Sequence, residues 1–213
     1  MSEQPPETPY PPEPEPAPTQ TTPKDDHPVR LLVTDDLKRS RLTVFFRLLL
    51  AIPHFFWITL WGIAVFLVVI VAWFATLFTG RLPDGMHEFL ARYERYTTHF
   101  TAYFYLLANP YPPFHGAAGS YPADLHVDPP TRQSRWTVGF RLILAIPAII
   151  LMWVFQQVMQ IIAFLGWFAC LVLGRMPKGM RDLGIYCLRY QAQTYCYVSL
   201  LTGRYPSLTA PTL

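Results

Sequence analysis

The sequence contains little charge, and this shortage excludes one class of partner. Charged residues make up 15% of its 213 residues, whereas a soluble domain has about 25%. The formal net charge is only +3, and the basic residues are dispersed along the chain. A nucleic-acid-binding domain gathers its lysines and arginines into a patch, so we expect no nucleic-acid partner.

Cysteine is also scarce, and the three that occur form no recognisable metal or disulfide pattern. Cys170, Cys187 and Cys196 are odd in number, no two stand at CxxC spacing, and no histidine stands at ligand spacing from them. We interpret them as small apolar residues that fill space in a reducing or lipid environment.

Sequence motifs of common enzymes are missing. The chain has no GxSxG, HExxH, P-loop or GxGxxG motif, so a nucleophile with its base, a zinc set or a phosphate loop has no candidate residues. We therefore expect no enzymatic activity, no cofactor and no metal.

The N-terminus lacks the basic segment and the apolar core of a cleavable signal peptide, so internal segments must drive any membrane insertion. Residues 1–27 are rich in proline, glutamate and threonine, a composition that predicts a disordered, partly polyproline-II tail. Its PYPP segment (Pro9–Pro12) would suit the aromatic groove of a protein partner. The alternative is a solvated spacer.

Beyond the tail the chain repeats itself after 94 residues. FRLLLAIPHFF (Phe46–Phe56) returns as FRLILAIPAII (Phe140–Ile150), and GRLPDGM (Gly80–Met86) returns as GRMPKGM (Gly174–Met180). Such self-similarity without a gap indicates a tandem duplication. We divide the chain into a tail (1–27), repeat 1 (28–114), a linker (115–121), repeat 2 (122–208) and a C-terminal tail (209–213).

These motifs resemble a known family. The patterns PVRLxV, SRxTxxFRLxLAIP, WFAxLxxGRxPxGM and YPPF resemble bacterial, largely actinobacterial, membrane proteins that carry domain of unknown function 4389. The resemblance covers residues 28–208 and implies an integral protein of the plasma membrane without an established activity. The second copy departs from the pattern at Gln156, Gln157 and Gln160, and Ser207-Leu208 replaces Pro113-Phe114.

The apolar run from Leu42 to Thr79 would form a helix of roughly 57 Å, whereas the hydrocarbon layer is about 30 Å thick. Proline breaks helices, so we expect a short interfacial helix at Thr43–Ile52 and a membrane span at Phe55–Thr79. The second copy would span at Ala148–Leu173. Gly80 and Gly174 would end the two spans.

The number of crossings depends on the second helix of each copy, Met86–Asn109 and Met180–Gly203. VRLLV (Val29–Val33) and ADLHV (Ala123–Val127) alternate like short strands. If they pair, both copies begin on one membrane face and each crosses an even number of times.

The predicted fold is therefore an all-α integral membrane protein of two repeats. Each repeat would have an interfacial helix and a helical hairpin, giving about four transmembrane helices, with a short strand pair outside the membrane. The alternative has two spans, amphipathic second helices and copies that face opposite ways. Basic residues before the first span favour a cytoplasmic N-terminus in a multi-pass protein.

Candidate binding residues are arginines and their neighbours. Arg47 and Arg141 either extend from interfacial helices to lipid headgroups or mark a site inside the membrane. Arg95, His99 and Tyr103 share one helix face, and Arg189, Gln193 and Tyr197 repeat it without the histidine. Arginine and tyrosine suit a lipid phosphate or another anion. The alternative is that these groups pair with a facing helix or with headgroups.

Two further arrangements complete the set of candidate sites. The glycine-rich turns with Arg81 and Arg175 would cup an anion or simply end a helix. An inter-repeat groove would be lined by Arg95, Tyr96, Arg189 and Tyr190. The candidate lipid- or anion-binding residues are Arg47, Arg141, Arg81, Arg175, Arg95, Tyr96, His99, Tyr103, Arg189, Tyr190 and Tyr197.

The function that we expect is that of a structural or partner-binding membrane subunit with membrane lipids, a protein partner at its tail or a second copy of itself as partners. The alternative is a binder or carrier of lipid or of a small anionic solute in the inter-repeat groove. The repeats of transporters are a precedent for the second class.

Overall fold

The computed structural model describes residues 27–209. The predictions made for the N-terminal tail, including its PYPP segment, lie outside the described residues, as does nearly all of the C-terminal tail.

Both copies fold into the same order of elements. Each has a strand, a one-turn helix, a helix of 33 residues and a helix of 21 residues. The elements are β1 (Val29–Val33), α1 (Arg41–Phe45), α2 (Arg47–Thr79), α3 (Asp84–Phe104), β2 (Ala123–Val127), α4 (Arg135–Gly139), α5 (Arg141–Leu173) and α6 (Lys178–Val198). The prediction of a mostly helical protein with two repeats and a short strand pair is confirmed.

The chain bends six to seven residues before the position that we predicted. The one-turn helix ends at Phe46, where φ is −86° and ψ is 6°, and Phe140 repeats this geometry. The long helices then run through Pro53 and Pro147. The predicted interfacial helix at Thr43–Ile52 is therefore wrong, and the predicted spans at Phe55–Thr79 and Ala148–Leu173 are parts of longer continuous helices.

The position of the proline explains the difference. Proline removes one main-chain hydrogen bond and crowds the turn before it. Pro53 is the seventh residue of α2, so it removes one main-chain hydrogen bond from a helix of 33 residues, and the other bonds carry the helix through it. The other ends of the long helices agree with prediction, since Gly80 and Gly174 adopt positive φ values of 75° and 68° there.

Among residues 27–209, α2 and α5 are the helices that are long and apolar enough to cross a membrane. Each measures roughly 50 Å at 1.5 Å per residue, which exceeds the thickness of the hydrocarbon layer. The helices α3 and α6 do not meet the same criteria. Four crossings therefore remain a prediction.

The two strands pair antiparallel and define the symmetry of the molecule. Leu31 lies opposite Leu125, and these positions are 94 residues apart, as repeat equivalents must be. A pseudo-twofold axis therefore passes between them. The same axis passes between α3 and α6, which contact each other. The segment just after α3 also packs on α6, since a Cβ atom at Gly184 would lie 2.4 Å from Leu107 Cδ2.

The N-terminal segment of each copy packs on the other copy. The indole of Trp73 donates to the carbonyl of Val138 in α4, and the indole of Trp167 donates to Val44 in α1, at 2.9 and 3.2 Å. Two main-chain bonds repeat the exchange: Arg39 N–H to Gly174 O at 3.0 Å, and Gln133 N–H to Gly80 O at 2.8 Å.

This exchange makes the long helices antiparallel. The helix α1, which leads into α2, lies beside the end of α5, where Arg41 Nη2 donates to Val172 O at 3.0 Å. By symmetry α4 lies beside the end of α2. The contacts place the start of each long helix beside the end of the other. The expectation that paired strands place the starts of both copies on one membrane face stays a prediction.

Candidate functional site

The first residue of α2, Arg47, points into the protein. Its side chain is 3% exposed, and Nη1 donates to the carbonyl oxygens of Tyr103 and Ala108, the latter at 3.4 Å. The guanidinium also lies 4.3 Å from the centre of the Tyr103 ring. Carbonyls at a helix C-terminus carry partial negative charge, so the end of α3 is a suitable seat for this cation.

Arg141 repeats the arrangement in the second copy. It is 1% exposed, and Nη1 donates to Tyr197 O at 2.5 Å and to Thr202 O at 2.9 Å, with the Tyr197 ring centre 4.5 Å away. The interpretation in which Arg47 and Arg141 extend outwards from interfacial helices to lipid headgroups is therefore wrong. Each one ties the start of a long helix to the end of the next helix in its own copy.

The two arginines differ in how many donors are used. Arg141 Nη2 donates to the side-chain oxygen of Gln133. Within residues 27–209, both Nη2 and Nε of Arg47 are buried without a partner, whereas Arg141 lacks a partner only at Nε. The equivalent of Gln133 is Arg39, whose own guanidinium donates to Leu106 O at 3.0 Å and pairs with Asp35 at 2.5 Å.

A pocket lies beside each of these arginines, between the start of one long helix and the end of the other. The first pocket has a volume of about 330 Å³. Its lining is Val44, Arg47, Leu48, Phe104, Leu106, Ala163, Phe164 and Trp167.

The second pocket has a volume of about 370 Å³ and is built from equivalent positions. Its lining is Phe66, Val69, Ile70, Trp73, Phe74, Arg141, Leu142, Val198 and Leu200. In both pockets every lining side chain except the arginine is apolar. Volumes of this size and such linings are typical of sites for small apolar ligands with one polar group.

The predicted stripe on α3 is divided by the structure. Arg95 Nε donates to Leu125 O at 2.9 Å, and His99 Nε2 lies 2.7 Å from the Asp124 carboxylate, so both residues hold β2. Tyr103 instead lies under Arg47. In α6, Gln193 donates to Val29 O of β1 at 3.1 Å, and Tyr197 lies under Arg141.

The four residues of the predicted inter-repeat groove do not line a common groove. Tyr96 stacks on Trp61 and its hydroxyl lies 2.6 Å from His54 Nδ1, so it belongs to the contact between α2 and α3. Tyr190 makes the equivalent contact with Phe155 of α5. Arg189 donates to the carbonyl oxygens of Ser207 and Thr209, while Arg95 turns to β2.

The arginines of the two glycine-rich turns are on the surface. Arg81 forms an exposed ion pair with Asp84 at 2.8 Å. Arg175 is exposed as well, and its backbone bridges to that of Lys38. Anion binding by these turns stays a prediction.

A cavity of about 690 Å³ beside α3 has a mixed polar and apolar lining with balanced charge, and the predicted site residue Arg95 is part of it. Its lining includes Glu88, Arg92, His87 and His115. Glu88 and Arg92 pair with each other at 2.5 Å, and such exposed pairs contribute little. In the described part of the chain no group of three histidine, cysteine, aspartate or glutamate side chains is close enough to hold a metal ion.

Asp124 is the electrostatic centre of the contact between α3 and β2. Its carboxylate accepts bonds from His99 at 2.7 Å and from the Gly119 N–H at 2.6 Å, with Arg95 at 3.8 Å. Burial raises the pKa of Asp124, but these three donors outweigh it and hold the pKa below its ordinary value of 3.8.

Comparison with protein families gives two matches along the chain. The model of a domain of unknown function (DUF4389) matches residues 41–115 and again residues 135–209. The chain belongs to the DUF4389 family. The two DUF4389 matches are offset by 94 residues, the shift of the internal repeat, so the predicted tandem duplication and the family resemblance are confirmed. Curated proteins and solved structures gave no match.

The two pockets of this DUF4389 protein were missed by sequence reasoning. The available signal was the pairing of an arginine at the start of each apolar run with a tryptophan near its end, Arg47 with Trp73 and Arg141 with Trp167. The sequence does not show that the N-terminal segments are exchanged. Because they are, each arginine lies beside the tryptophan of the other copy: Arg47 beside Trp167 and Arg141 beside Trp73.

Replacing the buried arginines should destabilise the protein unequally. Arg141→Met removes three hydrogen bonds and should lower the free energy of unfolding by about 3 kcal/mol, whereas Arg47→Met removes two and should cost about 2 kcal/mol. Unfolding of purified protein in detergent measures both, with exposed Arg81→Met as the control. A larger loss for Arg47→Met than for Arg141→Met would contradict the assignment of partners.

Asp124 should make stability depend on acid pH. A carboxyl whose pKa is depressed in the folded state stabilises the protein above its unfolded pKa and loses that contribution as pH falls through the folded value. We expect this loss below pH 3.8, and Asp124→Asn should lower stability at neutral pH by about 1–2 kcal/mol and remove this part of the pH dependence. Thermal unfolding across acidic pH tests it. Asp84→Asn, at an exposed pair, should leave the profile unchanged.

Proposed function

We propose that this protein is an integral membrane protein in which α2 and α5 lie in the bilayer and that it acts as a structural or partner-binding subunit. The observation that carries the proposal is the exposure of these helices. Only 11% of the most apolar window of α2 and 22% of that of α5 is buried within the protein. A core helix of a soluble protein would be mostly buried.

The exposed side chains are large and continuous along each helix. On α2 they recur every three or four residues, so one complete face is apolar and uncovered. Residues on this face include Leu48, Ile52, Phe56, Ile63, Phe66, Ile70, Phe74 and Phe78. Water-soluble monomers rarely expose contiguous apolar patches beyond a few hundred Å², whereas hydrocarbon is the natural environment for such a face.

We propose two crossings in preference to four. The helices α2 and α5 are antiparallel, so they would cross in opposite directions and the two copies would face opposite sides of the membrane. The helix α3 exposes Glu88 and Arg92 on its surface, and charged groups in hydrocarbon cost several kcal/mol each. Because α2 and α5 are longer than the layer is thick, they would tilt or extend beyond it.

A structural role accords with how the polar residues are used. The buried arginines and the polar residues of α3 and α6 hold backbone carbonyls and strands of the same chain. The uncovered faces of α2 and α5 are the surfaces available to lipids, to a second copy or to a membrane-embedded partner. The expected absence of enzymatic activity and the docking of a partner to the tail are parts of this proposal.

The topology can be measured with single cysteines at Asp84, Gly119 and Lys178 in a variant that lacks the three native cysteines. Asp84 follows α2 and Lys178 follows α5, and all three positions are exposed. With two crossings, an impermeant maleimide added to intact cells should label Asp84→Cys or Lys178→Cys but not both, since antiparallel spans end on opposite sides.

Other arrangements give other patterns in the same experiment. Two hairpins would place positions 84 and 178 on one side and position 119 on the other. Helices that lie along one surface without crossing would place all three positions on one side. Labelling after permeabilisation is the control for reactivity. The pattern of two hairpins or the pattern of helices along one surface would refute the two-crossing arrangement.

A further inference from the structure

The first pocket contains an arginine with unused hydrogen-bond donors. Nε and Nη2 of Arg47 are buried and have no acceptor among residues 27–209, and the Arg47 side chain forms part of the pocket lining. An unpaired donor on a buried charged group is costly. Both nitrogen atoms have almost no accessible surface, so an acceptor oxygen in the pocket would relieve that cost once the end of the Arg47 side chain turns towards it.

The charge around these donors is positive. Arg39 is near enough to act on the charge of Arg47. The charge of Arg39 is balanced by Asp35 at 2.5 Å. No carboxylate of the described residues pairs with Arg47, whose partners are neutral carbonyl oxygens and a tyrosine ring. The acceptor that this site favours is therefore an anion, because a charge-assisted bond in a poorly solvated place is stronger than a neutral one.

The rest of the first pocket suits a hydrocarbon chain. Two of its lining residues, Leu48 and Phe164, are 70% and 65% exposed and belong to the outer faces of α2 and α5. The pocket thus opens onto the surfaces that we place in the bilayer, and a lipid can enter it from the side without passing through water.

We infer that the first pocket binds a membrane lipid with an anionic headgroup. Its phosphate or carboxylate oxygens accept bonds from Nε and Nη2 of Arg47, and an acyl chain lies against Leu48, Ala163 and Phe164. The inference rests on the proposed location of α2 and α5 in the membrane.

The second pocket is a natural control within the same chain. Its arginine, Arg141, already donates Nη2 to Gln133, and Nη1 holds two carbonyl oxygens. Gln133 therefore stands where a headgroup oxygen would bind. The second pocket offers an apolar surface of similar size, but Arg141 lacks a partner only at Nε, so this pocket has a weaker preference for an anionic headgroup than the first.

The binding experiment uses the full chain purified in detergent with an equimolar mixture of phosphatidylglycerol and phosphatidylcholine, followed by native mass spectrometry. The protein should retain one phosphatidylglycerol in preference to phosphatidylcholine. Arg47→Gln should weaken this preference about tenfold, since it removes at least one charge-assisted hydrogen bond. Arg141→Gln should leave it unchanged.

A second pair of variants keeps both arginines and changes only the volume of one pocket or the other. Ala163→Phe fills the first pocket and should abolish retention of phosphatidylglycerol, whereas Val69→Phe, at the equivalent position of the second pocket, should not. Thermal unfolding of each variant shows whether it is folded. Equal retention in Arg47→Gln and in the wild type would overturn the inference, as would equal losses at both pockets.

Two further arms separate the possible failures. Inorganic phosphate that displaces phosphatidylglycerol would show that the site takes a free anion, which would overturn the lipid assignment. Flotation of the wild type with phosphatidylcholine vesicles tests the membrane location by itself. Protein that floats but has no preference for phosphatidylglycerol would refute only the lipid site, whereas protein that does not float would refute the proposed function as well.

Discussion

The exchange of N-terminal segments between the copies is the constraint on which the remaining structure depends. Each copy's strand and one-turn helix lie on the other copy, and the strand pair centred on Leu31 and Leu125 fixes the pseudo-twofold axis. The axis in turn makes α2 and α5 antiparallel, brings the start of each beside the end of the other, and so creates the two pockets. Without the exchange, Trp73 and Trp167 would lose their carbonyl acceptors in the opposite copy.

The buried arginines complete this arrangement within each copy. A cation at the start of a long helix holds the carbonyls at the end of the next one, where the helix dipole is negative. The arginine charge and the carbonyl dipoles satisfy each other's hydrogen-bonding groups, so this contact stabilises a helical hairpin where water is scarce. The two copies differ in the partner of this arginine. The side chain of Gln133 accepts a hydrogen bond from Arg141, whereas Arg39, the equivalent of Gln133, pairs with Asp35. This difference leaves Nη2 without a partner in Arg47 but not in Arg141.

Much of the fold was accessible from the sequence because it is local or periodic. The duplication, the alternation of Val29–Val33 and the glycine at each long helix end were read correctly. The break at Phe46 was not, since a proline costs a long helix one hydrogen bond and need not end it. The exchange and the antiparallel long helices could not be predicted, because they depend on which copy covers which apolar face. For the same reason the stripe beginning at Arg95 was read as one site although its members bind different elements.

The solvent accessibility of the uncovered face of α2 is the most direct test of whether this face lies in hydrocarbon. Spin labels placed one at a time at Leu48, Phe56, Ile63, Ile70 and Phe78 in reconstituted protein would be exposed to oxygen and to a water-soluble nickel complex. The account predicts collisions with oxygen and protection from nickel at the middle positions, with nickel access rising towards the ends of the helix. Equal access to nickel at all five positions would show that this face is in water and would contradict the account.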